Sequence, residues 1–162
     1  MRDFEAVESQ NENIKRLKNL VLTSIVINFV LILLTVWTVQ QVTTLTTSLT
    51  VALIAMIKCI MGLQIARKIK NYQYPKYGAI LAIIASTITL LGSAMMMVVT
   101  VTFLIGFILI LLGFAEGMLA FYIMLMLPQV ASWLLILSLI FYFASSVGYF
   151  MLYRNIKGAA IV

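Results

Sequence analysis

The stretch at residues 77–153, YGAILAIIASTITLLGSAMMMVVTVTFLIGFILILLGFAEGMLAFYIMLMLPQVASWLLILSLIFYFASSVGYFMLY, decides the fold: its 77 residues carry one charged side chain, Glu116. A single helix of that length would be about 115 Å long at ~1.5 Å per residue, against a hydrocarbon layer of roughly 30 Å. The stretch must therefore fold back on itself within a membrane. Pro128 in MLPQV supplies one break, and a second is expected near Thr100 and Thr102, whose hydroxyls can satisfy a tight hairpin at the interface. This divides the stretch into spans at 78–99, 103–127 and 129–153, the last ending in an expected interfacial belt of Tyr149, Phe150 and Tyr153.

Toward the N-terminus, RKIKNYQYPKY (67–77) is a basic connection in which Pro75 stops any continuous helix and the tyrosines suit the headgroup zone. Before it lies a span at 49–66, then the uncharged, Thr-rich QQVTTLTTSLT (40–50), then a first span at 19–39 with Trp37 at its interfacial end. Ser24, Asn28, Thr35 and Thr38 share one face of that span, and Ala82, Ser86, Thr89 and Ser93 share one face of the third, so both stripes should point at other helices. Residues 1–18 form a cytosolic tail in which Phe4, Val7, Ile14 and Leu17 allow a short amphipathic helix, a frayed segment being the alternative. Its acid-rich start lacks the positive n-region of a secretory signal, so the first span is expected to stay as an anchor. Residues 154–162 are a short C-terminal tail. The fold class is all-α: a polytopic transmembrane helical bundle of about five spans, the alternative being four spans plus a re-entrant hairpin.

Composition agrees. Of 162 residues, 64% are hydrophobic and 10% charged, and the mean hydropathy is +1.13, more than a water-soluble core absorbs. The single cysteine, Cys59, makes no intramolecular bridge, and with no histidine the chain cannot build His-ligated metal or haem sites or a Ser-His triad. The net charge is +6, and the cations outside the spans cluster as Lys15, Arg16 and Lys18 before the first span, Arg67, Lys68, Lys70 and Lys76 in one loop, and Arg154 and Lys157 after the last. That is the distribution of topology determinants, with no basic stripe for nucleic acid, and it puts the N-terminus and the 67–77 loop in the cytoplasm, in a membrane expected to be the prokaryotic cytoplasmic one. Five spans then leave Arg154 and Lys157 on the outer side, against the same tendency; four would bring them back.

Two charges lie within the spans, and each needs a reason, because a charge near the bilayer centre costs roughly 2.5–3.5 kcal/mol on insertion scales. With spans two and four as drawn, Lys58 and Glu116 fall at similar depths, with opposite signs. Gly106, Gly113, Glu116, Gly117 and Ala120 share a face that includes a GxxxG at 113–117, and Ala55, Lys58, Gly62 and Ala66 make a similar small-residue stripe. These stripes predict that spans two and four pack together and close a Lys58–Glu116 ion pair. The pair would set helix register or serve ion or proton movement. In a further alternative, Lys58 snorkels to the interface and Glu116 is neutral or pairs with another subunit. Consecutive Met95, Met96 and Met97 point in different directions around a helix and do not converge on copper. No cofactor, metal or catalytic site is expected. Two functions follow: a non-catalytic subunit that scaffolds or stabilises a larger membrane complex, with the lipid bilayer and other integral subunits or itself as partners, or a small oligomeric transporter or channel protomer using the Lys–Glu pair.

Overall fold

The computed structural model describes the backbone at residues 2–40, 45–70, 74–113 and 116–159, and side chains at 11–39, 45–70, 74–113, 122 and 126–156. The elements are α1 (Arg2–Gln40), α2 (Leu45–Ile69), α3 (Tyr77–Leu111) and α4 (Glu116–Ala159). Each contains a stretch long and apolar enough to cross a membrane: Asn11–Val39, Leu45–Ile69, Tyr77–Leu111 and Met126–Ile156. Hydrocarbon leaves backbone N–H and C=O groups no partner but each other, which is why these apolar runs are helices. The side chains sort as they should in such a solvent. Leu33 and Trp133 are 71% and 72% exposed, while Ser24, Asn28, Ser86, Thr89 and Ser93 are fully buried, as both polar stripes require. The protein is a helical integral membrane bundle.

The five expected spans are four helices. Thr100 and Thr102 do not turn the chain, because α3 runs through them to Leu111, and the Thr100 hydroxyl donates to the Met96 carbonyl one turn back at 3.0 Å. A threonine that bonds within its own helix is no hairpin signal. Pro128 lies inside α4 without ending it, which membrane helices tolerate. The chain reverses instead at Gly113, whose φ of +78° is left-handed. Its N–H reaches the Ile110 carbonyl at 3.0 Å, and the Leu112 N–H reaches Ile108 at 3.0 Å. Glycine closes helices in this way because it lacks the Cβ that makes positive φ costly. The expected 113–117 GxxxG is therefore not a helical packing motif: Gly113 belongs to the turn, and a Cβ there would meet nothing within 4 Å. The re-entrant alternative also gives way, since the described residues of 77–153 fall in two long helices, α3 and α4, and the turn that ends α3.

Consecutive helices pack on each other and α1 closes the ring against α4, so α1 faces α3, and α2 faces α4, across the diagonals. Three buried layers mark the length of the bundle. The first takes Leu17 and Val21 from α1, Ile65 and Ile69 from α2, Ala79 and Ala82 from α3, and Tyr149, Leu152 and Ile156 from α4. Leu31, Ala55, Ala85 and Tyr142 make the second; Met96, Ala131 and Leu135, with Val39 against them, make the third. At the first layer α3 and α4 meet backbone to backbone, because a Cβ on Gly78 would lie 2.8 Å from the Gly148 carbonyl carbon and one on Gly148 2.7 Å from the Gly78 Cα.

This layering gathers Lys15, Arg16, Lys18, Arg67, Lys68, Lys70, Lys76 and Arg154 at one end, beside Leu17, Ile69, Ala79 and Ile156. The conflict that five spans created for Arg154 disappears with the fifth span. α1 is unbroken from Arg2, so the described part of the expected tail, 2–18, is helical, with Leu17 buried and Ile14 packed against the same layer; Phe4 and Val7 lie outside the described side chains. The opposite end is uneven. From the level of Ile69, α2 rises ~36 Å to Leu45, whereas α3 rises ~50 Å from Gly78 to Leu111. The α3–α4 hairpin therefore outreaches α1 and α2 by roughly 15 Å.

Candidate functional site

Between the first and second layers, a belt of polar groups joins all four helices. Ser24 and Asn28 stand one turn apart on α1, so both face the interior. Lys58 enters from α2; its Nζ donates to both the carbonyl and the hydroxyl oxygen of Ser24. Across the diagonal, the same nitrogen lies 4.7 Å from the centroid of the Tyr149 ring on α4. The four-carbon stem thus lets one side chain bind α1 and α4 although α2 and α4 are not neighbours.

Asn28 supplies the second tie. Its Nδ2 lies 3.0 Å from Ser146 Oγ, 3.3 Å from Ser145 Oγ and 3.4 Å from the Tyr142 carbonyl, all on α4. Those hydroxyls pass the donation on, Ser146 to the Tyr142 carbonyl at 2.9 Å and Ser145 to the Gly78 carbonyl on α3 at 2.9 Å. The two shorter links run amide to hydroxyl to carbonyl, and they use the two hydrogens that the amide has to give. Oδ1 of Asn28 and the hydroxyls of Tyr142 and Tyr149 are buried without a hydrogen bond in this arrangement.

The electrostatics of the belt are one-sided. Lys58 is fully buried, and the ion pair among the described residues is Arg16 with Glu12 near the far end of α1. An ammonium in hydrocarbon is held here by two oxygens and an aromatic face, whose quadrupole attracts a cation most strongly when both are desolvated. Four further buried hydroxyls close on their own helices, Ser86 donating to Ala82, Thr89 to Ala85, Ser138 to Leu135 and Thr38 to Leu34, while those of Thr35, Ser48 and Ser93 are buried without a hydrogen bond.

The expected Lys58–Glu116 pair falls outside the described residues, because the Glu116 side chain is not among them; the backbone, however, puts the two positions far apart. Glu116 opens α4, 33 residues before Tyr149, a distance of ~50 Å along the helix. The depth match assumed a span starting near Thr102. Because the chain turns at Gly113 instead, the Glu116 backbone lies close to the hairpin apex. The stripe of Ala55 and Gly62 also has a different partner. Gly62 rests on Ile83 and the Ala79 carbonyl of α3, and Ala55 packs with Leu31, Ala85 and Tyr142. Gly106 is buried in α3; Gly117 and Ala120 lie outside the described side chains.

Tyr149, expected in an interfacial belt, is fully buried beneath Lys58, while Phe150 beside it is 64% exposed. Sequence reading missed Gly78, Gly148, Ser145 and Ser146 as contact residues. The run ASSVGY (144–149) with the GAILA at 78–82 offered a signal, small residues at four-residue spacing on two helices. Comparison with protein-family models, curated proteins and solved structures finds no match for this chain.

Proposed function

We propose that the protein is a non-catalytic integral subunit that scaffolds or stabilises a larger membrane protein complex, seated in a prokaryotic cytoplasmic membrane with its basic end and both termini inside. The observation that carries this reading is the hairpin beyond the third layer. Phe103, Leu104, Phe107, Ile108, Leu111 and Leu112 are all about half exposed or more, on the part of α3 and its capping turn that outruns α1 and α2. Left in water, six such side chains would forfeit on the order of 10 kcal/mol of burial energy. Tilt does not absorb the excess, because α3 and α4 are packed into the same bundle as the shorter pair. An apolar protein surface answers the demand.

The experiment is site-specific photo-crosslinking in native membranes from Phe103 and Phe107, with Phe150 at the basic half as a lipid-facing reference. A discrete adduct to one other membrane protein from the hairpin positions supports the subunit reading; adducts to lipid alone from all three positions overturn it. The alternative, a small transporter or channel protomer, draws on Lys58 alone among the described residues. Ion flux in liposomes that disappears in Lys58→Met would favour it over a scaffold.

A further inference from the structure

At the basic end, α1 and α4 meet along a seam that combines an apolar wall with cations that have no ion pair among the described residues. Lys18 Nζ lies 5.5 Å from the centroid of the Tyr153 ring. Lys15 sits one turn before Lys18 on the same face of α1. Arg154 follows Tyr153, its Cα only ~3.8 Å away, and is exposed. The described carboxylate at this end, Glu12, is engaged by Arg16 at 3.3 Å. Below the cations, Leu22, Val26 and Phe29 continue the face of α1, and Phe150, Val147 and Phe143 continue the face of Arg154 on α4, all exposed. Cations above and parallel apolar stripes below are the two halves of what an anionic lipid presents.

We propose that this seam is a binding site for an anionic glycerophospholipid, its phosphate held by Lys15, Lys18 and Arg154 and its acyl chains lying along the α1 and α4 faces beneath. The tyrosine ring turns Lys18 toward the seam and keeps it from spreading into bulk solvent, so the headgroup meets a cation already in place. A free phosphate would use the cations and leave the apolar stripes idle. The lipid uses both. It would cement α1 to α4, the contact that closes the helical ring.

The test uses the full chain purified in a neutral detergent and titrated with dioleoylphosphatidylglycerol, dioleoylphosphatidylcholine or inorganic phosphate, with binding read by native mass spectrometry and thermal unfolding. Phosphatidylglycerol is expected to bind at least about ten-fold more tightly than phosphatidylcholine and to raise the midpoint, while phosphate does neither. With each cation near an anionic headgroup worth about 1 kcal/mol, Lys15→Gln should weaken binding roughly five-fold and the Lys18→Gln, Arg154→Gln double variant roughly thirty-fold. Arg67→Gln with Lys70→Gln, on the diagonal helix and its loop, should leave binding within about three-fold. Equal binding of both lipids, an equal shift from phosphate, or an equal loss in the Arg67/Lys70 variant each overturns the proposal. Should the double variant fail to fold, exposed Lys15 keeps the test decisive, since unchanged binding there also overturns it.

Discussion

Lys58 gives the most discriminating prediction, because its partners are few and named. Lys58→Met keeps most of the stem volume and removes the ammonium. The losses are two bonds to Ser24 and the contact with the Tyr149 ring, together about 4 kcal/mol at about 1 per bond and about 2 for a desolvated cation–π contact. The relief is the burial of charge, about 3 kcal/mol on insertion scales. The variant should therefore unfold within about 2 kcal/mol of the parent, as replacements of buried charges by apolar residues tend to do. Tyr149→Leu behaves differently in the two backgrounds. With Lys58 present it strips the aromatic face from a buried cation; with Lys58→Met it loses only packing. A double-mutant cycle, read by reversible unfolding in mixed micelles, should give a coupling of about 1–2 kcal/mol. A coupling below about 0.3 kcal/mol, or a Lys58→Met cost above about 4 kcal/mol, would refute the reasoning.

Other perturbations probe the rest of the belt and the topology. Gly148→Ala places a Cβ 2.7 Å from Gly78 and should destabilise by about 1–3 kcal/mol in the same unfolding assay, since the obstacle is backbone. Asn28→Leu removes the α1–α4 bonds but leaves Ser145 and Ser146 their carbonyl acceptors, so a loss of about 1–2 kcal/mol is expected. Lys58→Met and Glu116→Leu, ~50 Å apart by helix length, should be additive within about 0.3 kcal/mol; a larger coupling would restore the ion pair. Single cysteines near the two ends of the chain, probed with an impermeant thiol reagent, should be labelled from the same side of the membrane, and opposite sides would return the count to five spans.

The residues explain why some of this was legible beforehand and some was not. The inward stripes of α1 and α3 could be read from spacing, because a helix in lipid turns its hydroxyl and amide groups to other helices whatever those helices are. The turn was misplaced because its marks have two meanings. A threonine in a membrane helix can close on its own backbone, as Thr100 does, and a proline can sit within a helix, as Pro128 does. Gly113 was assigned to packing because glycine serves both close approach and positive φ, and spacing does not separate the two. Reading Gly113 as a packing residue places Glu116 mid-membrane at the depth of Lys58, whereas its backbone opens α4 just after the turn.

What the sequence determined alone was the solvent, the helical class and the clustering of cations, since hydropathy and charge are sums over residues that need no partner. The tertiary structure decided which groups meet. Lys58 found Ser24, 34 positions away, and Asn28 found Ser146, 118 positions away. Such pairings depend on the number of helices and where each begins, and one displaced turn shifts the depth of every side chain that follows it.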